Sequence, residues 1–81
     1  MSSAILVHHS FDGGWPWAAD YWYEQWRREG PTAFHRSAAK EKPSVTEVLP
    51  AADREVHRLA CLGVRLRLEE LQALPNLRAV F

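Results

Sequence analysis

Residues 4–7, Ala-Ile-Leu-Val, are apolar at successive positions and leave no polar side on either parity. A strand made of them has to be covered on both faces, which is the situation of strands in a parallel sheet. The run continues to His9 and then meets Ser10, Asp12, Gly13 and Gly14, which carry turn chemistry. A first strand is expected over Ala4–His9, ending at a break. Pro16 then suits the first turn of a helix, where its missing N–H costs nothing.

From Pro16 to Glu29 the residues Ala18, Tyr21, Trp22, Gln25 and Trp26 recur at helical spacing, with Asp20, Glu24, Arg27 and Arg28 tending to the other side. Glu29-Gly30-Pro31 ends this amphipathic helix. Thr32–Arg36 has β-forming character and follows after a short αβ connection. Residues 37–44 are polar and contain Pro43, which reads as loop. Ser44 and Glu47 have the spacing of a capping box, and Pro50 keeps the helix they open short. A third strand is expected over Val56–Leu62, stopped by Gly63. A short helix over Leu66–Leu74 is stopped by Pro75. Residues 76–81, Asn-Leu-Arg-Ala-Val-Phe, form the expected fourth strand.

Strands alternating with crossover helices favour an α/β layer with parallel pairing. The 81 residues make one domain or part of one. Because two or three short helices barely cover both faces of a parallel sheet, the expectation for residues 1–81 is a single, incomplete α/β domain.

Charge and cysteine content remove several function classes. Ten basic and ten acidic residues are interspersed along the chain, so it carries no electrostatic footprint for nucleic acid or an anionic membrane surface. Cys61 has no second cysteine to pair with and sits in an apolar run, which favours a buried structural thiol. The N-terminus lacks the basic and long apolar regions of a signal peptide, and no stretch approaches the roughly 18–20 apolar residues of a membrane span. The expected location is the cytoplasm.

His8, His9, Ser10 and Asp12 fall at the carboxyl end of the first strand, the edge where open α/β sheets bind ligands. Adjacent histidines on a strand point to opposite faces, and His35 and His57 stand at no ligand spacing to them, so no metal site is expected. A triad of Ser10, histidine and Asp12 requires three neighbours in sequence to converge, which is uncommon. Capping of free N–H groups by Ser10 or Asp12 is the favoured reading. His9 and Ser10 are the candidates for contact with a substrate at this edge. Neither G-x-G-x-x-G nor the P-loop pattern occurs, so the chain encodes no nucleotide site. The four tryptophans and two tyrosines concentrated around the first helix suggest core together with an interface. Arg65, Arg67, Glu69 and Glu70 read as the solvated face of the last helix.

The N-terminal AILVHHSFD, the later LACLGVRLRLEELQALPNLRAVF and the spacing between them resemble the start of the NAD-dependent D-2-hydroxyacid dehydrogenases. In that family a phrase of the form L-P-x-L-x-x-(I/V), here Leu74 to Val80, leads into the fourth strand of a flavodoxin-like substrate-binding domain. The resemblance implies a small flavodoxin-like parallel sheet of about four strands with flanking helices. It also implies a parent protein that transfers hydride between NAD(P) and a 2-hydroxy or 2-oxo acid. The parent's glycine fingerprint and its catalytic arginine, glutamate and histidine have no counterpart in this chain, so no activity is expected of it alone. Many members carry a polar or basic residue just after the third strand, where this chain has Leu62 and Gly63. The implied partners are the remainder of the parent chain or a second copy bound through the aromatic helix. The rival reading is a non-enzymatic protein-binding module, either a small α/β domain or a leucine-rich repeat suggested by Leu66 to Phe81.

Overall fold

The computed structural model describes residues 2–14 and 17–81, with the backbone alone over 12–14. Strands β1 (Ser3–His8), β2 (Thr32–Ser37), β3 (Arg58–Leu62) and β4 (Ala79–Val80) form one sheet in the order β2-β1-β3-β4. Every pairing is parallel, with Ile5 opposite Phe34 on one side and Ala60 on the other. This is a flavodoxin-like α/β arrangement, the order 2-1-3-4 being the first four positions of 2-1-3-4-5. A leucine-rich repeat would set successive strands side by side, which this order does not do.

The centre of the sheet is dry because β1 supplies both faces. Ala4 and Leu6 pack with Val45, Leu49, Val56, Leu59, Val64 and Leu74 on one side. Ile5 and Val7 pack with Ala19, Trp26, Ala60 and Leu62 on the other. Residues 4–7 are wholly removed from solvent, as an apolar run without alternation requires. Cys61 packs against the first of these clusters as a half-buried thiol.

Helix α1 (His9–Gly14) follows β1 without a gap, where the sequence suggested only a turn. Helix α2 (Ala18–Arg27) covers the Ile5 face and is shorter than the stretch from Pro16 to Glu29. Pro16 lies outside the described residues, and so does its expected place in the helix. The buried stripe of α2 runs through Ala19 and Trp26, with Trp22 and Tyr23 packed beside them, whereas Tyr21 is exposed. Tyr23 meets the ring of Phe34 edge-on, and that contact rotates the stripe away from Tyr21. Trp22 and Trp26 also meet Phe81 edge-on, which ties α2 to the β4 side of the sheet.

The opposite face is covered by helix α3 (Val45–Val48) and two 3₁₀ turns, Ala51–Asp53 and Leu68–Ala73. The expected helix over Leu66–Leu74 is thus a 3₁₀ turn. The capping box expected at Ser44 is absent too, because the Ser44 hydroxyl donates to the Glu47 carboxylate at 3.0 Å and no Ser44 side-chain cap forms. The N-terminus of α3 is capped from a distance by Glu70, whose carboxylate accepts the Thr46 N–H at 2.7 Å. Glu70 is therefore buried, not part of a solvated face as its run of charges suggested. The fourth strand proper is only two residues long, although ladder-type bonds from Arg78 N–H to His57 O and from Phe81 N–H to Leu59 O extend it at both ends. No helix among the described residues is long and apolar enough to cross a membrane.

Candidate functional site

The chain runs from β1 to β2 on one side of the sheet and then crosses over to β3 on the other. The order therefore reverses between β1 and β3, and the crevice at the carboxyl ends of those two strands is where an open α/β sheet receives ligands. His8, the last residue of β1, is only 2% exposed, while His9 and Ser10 are exposed beside it.

The His8 imidazole is held at both nitrogens. Its Nε2 lies 2.7 Å from the Ala39 carbonyl oxygen. A carbonyl can only accept, so Nε2 carries a proton and the neutral ring keeps Nδ1 as an acceptor. The Ser10 hydroxyl donates to that Nδ1 at 2.7 Å, and the Ser10 N–H approaches it at 3.3 Å. Ser10 thus sits inside α1 with its own N–H and its hydroxyl both directed at the His8 ring, so the hydroxyl does not serve elsewhere as the cap of the turn that was expected. The side chain of Asp12 lies outside the described residues, as does any capping by it.

His9 does not point to the face opposite His8. The chain turns into α1 at this residue, and the two rings lie 4.2 Å apart with both Nε2 atoms on Ala39 O, that of His9 at 3.0 Å. Ala39 is itself held by its N–H, which donates to the Ser37 hydroxyl at 3.3 Å just beyond β2. No sequence signal identified Ala39, because its part is played by a backbone carbonyl.

The third wall comes from Gly63 after β3. Its φ of +81° is rarely open to residues with a side chain, and an added Cβ would stand 3.1 Å from the His8 Cβ and 3.6 Å from the Ser10 Oγ. The glycine that the sequence offered only as a strand end therefore fixes the space beside the His8–Ser10 pair. The carboxyl ends of β1, β2 and β3 converge here through His8, Ala39 and Gly63.

The remaining histidines lie elsewhere. His35 on β2 donates to Asp53 at 2.8 Å, tying the strand to the first 3₁₀ turn, and His57 Nδ1 lies 3.1 Å from the Ser2 hydroxyl. Among the described residues no three His, Cys, Asp or Glu side chains gather as a metal-binding group. Cys61 is no ready nucleophile, because burial, followed by the Glu70 charge, raises its thiol from 9.0 to about 11. The residues here do not fit a nicotinamide dinucleotide either. Where a glycine fingerprint would let a pyrophosphate approach the backbone after β1, the chain places the bonded side chains of His8 and Ser10.

Two surface cavities of about 350 Å³ each are lined by other residues than His8, Ser10, Ala39 and Gly63. One is at the amino end of the sheet, between Ser3, Thr32 and Val56. The other is an aromatic recess along α2 formed by Phe11, Tyr21, Trp22 and Trp26, with exposed Trp17 beside it. Neither contains the His8–Ser10 pair, and the reversal of strand order gives the carboxyl edge the stronger claim to chemistry. No protein-family model matches the chain, and no curated protein or solved structure matches it.

Proposed function

We propose that the chain is the N-terminal part of the substrate-binding domain of an NAD(P)-dependent D-2-hydroxyacid dehydrogenase, with His9 and Ser10 on the side that meets a 2-hydroxy or 2-oxo acid. The observation that carries this reading is the meeting of His8, Ser10 and Gly63 at the reversal point between β1 and β3. The flavodoxin-like strand order supports the same reading, as does the phrase from Leu74 to Val80 that leads into β4.

In this reading the Ser10 hydroxyl turns from His8 Nδ1 to donate to a carboxylate or keto oxygen, with the exposed His9 ring beside it on the Ala39 carbonyl. The nicotinamide cofactor and the acid/base residues belong to a separate dinucleotide-binding part of the parent, and the chain alone is inactive in hydride transfer. The parent works in the cytoplasm. The aromatic recess on α2, with Trp17 65% and Tyr21 62% exposed, supports an interface with the remainder of the parent or with a second copy.

The test is to translate the reading frame beyond Phe81. A glycine-rich turn, then G-x-G-x-x-G between a strand and a helix, then arginine, glutamate and histidine in that order is the expected result. A stop codon or an unrelated continuation overturns the dehydrogenase reading and leaves the protein-binding module to test.

A further inference from the structure

The hydrogen bonds at the carboxyl edge form a directed chain that substrate contact alone does not require. The Ser10 hydroxyl donates to His8 Nδ1 at 2.7 Å, and His8 Nε2 donates to the Ala39 carbonyl at 2.7 Å. This is a hydroxyl, a base within reach of its proton, and a third group that fixes the base's tautomer, the arrangement that makes a serine nucleophilic. Burial of the His8 ring and exposure of Ser10 set the base in a fixed frame and the nucleophile within reach of solvent. Gly63 brings no side chain against the pair, where a Cβ would stand 3.1 Å from the His8 Cβ and 3.6 Å from the Ser10 Oγ.

We infer that Ser10 is an acyl acceptor toward carboxylic esters, with His8 as its general base and the Ala39 carbonyl as the group that orients that base. In the step, the Ser10 Oγ bonds to the acyl carbon while the bond from that carbon to the leaving oxygen breaks. The hydroxyl proton passes to His8 Nδ1 and from there to the leaving alcohol or phenol. The imidazolium that forms in between keeps its Nε2–H on Ala39 O, and no oxidant, reductant or further reactant is consumed. This activity is independent of the dehydrogenase reading and stands or falls without it.

The full chain is incubated with p-nitrophenyl acetate, phenolate release is followed by absorbance, and the acetylated residue is located by mass spectrometry. The expected result is acetyl-Ser10, absent in Ser10→Ala, with acylation roughly 100-fold slower in a His8→Gln variant whose circular dichroism is native. Acetylation confined to residues other than Ser10, or a Ser10 rate that His8→Gln leaves unchanged, overturns the inference. Should His8→Gln fail to fold, a wild-type acylation of Ser10 that is no slower in heavy water than in ordinary water overturns it equally.

Discussion

The Glu70 carboxylate accepts the Thr46 N–H at 2.7 Å across a separation of 24 residues, and its other oxygen accepts the Arg67 N–H at 2.9 Å. One buried side chain therefore caps α3 and starts the second 3₁₀ turn. Both are elements of only one or two turns that cannot hold themselves in water, so this face of the sheet depends on Glu70 remaining ionised.

Burial by itself pushes the Glu70 carboxyl up, but bonds from the Thr46 hydroxyl and from the Arg67 and Thr46 amides outweigh it and bring the group from 4.5 down to about 2. The unfolded chain takes up the proton more readily, so the contribution is complete above about 4.5 and is lost as pH falls towards about 2. Glu70→Gln is expected to destabilise the protein by about 1–3 kcal/mol at neutral pH, with the gap from wild type closing in acid. Urea unfolding across a pH series measures this, and a constant gap would show that the charge is not what stabilises the cap.

Gly63→Ala adds a Cβ at a φ of +81° and 3.1 Å from the His8 Cβ. A loss of about 1–3 kcal/mol is expected, along with displacement of the His8 ring. Thermal unfolding reports the first and the imidazole proton shifts report the second. A stability within error of wild type would mean that the turn after β3 adopts another conformation.

Cys61 is expected to resist alkylation by iodoacetamide at pH 8 in the folded protein and to react promptly in urea, since burial raises its thiol to about 11. Rapid labelling of the native chain would contradict the packing of Cys61 against the sheet.

The Arg58 guanidinium lies 4.4 Å over the Trp26 ring, donates through Nε to the Ser3 hydroxyl at 2.9 Å and reaches Glu29 at 3.2 Å. Lysine keeps the charge but not the planar fork, so Arg58→Lys is expected to cost about 1 kcal/mol and to change tryptophan fluorescence. An unchanged urea midpoint would assign Arg58 no part in holding α2 to the sheet.

The chain's layers were legible where one residue's neighbours decided the outcome. Residues 4–7 have no polar parity, and the structure buries them on both sides. The α2 stripe was legible in period but not in phase, because Phe34, which is remote in sequence, selects Tyr23 over Tyr21. Glu70 was read as solvated because its acceptor duty depends on Thr46, which only the folded chain brings near. The end of the first strand, which His9 and Ser10 follow, was legible from the break in the apolar run. The hydrogen bonds around His8 were hidden, because the Ala39 carbonyl has no residue-type signature and Gly63 signals a turn without saying which side chains it lies against.

At the carboxyl edge of the sheet, His8 donates from Nε2 to Ala39 and offers Nδ1 to the Ser10 hydroxyl. Long-range proton–nitrogen correlation of the imidazoles in uniformly labelled protein at neutral pH reads this directly. The expected result is a His8 ring protonated at Nε2 and bare at Nδ1, with its Nδ1 shift changing in Ser10→Ala. A His8 ring protonated at Nδ1, or one whose Nδ1 shift ignores the loss of the Ser10 hydroxyl, would contradict it.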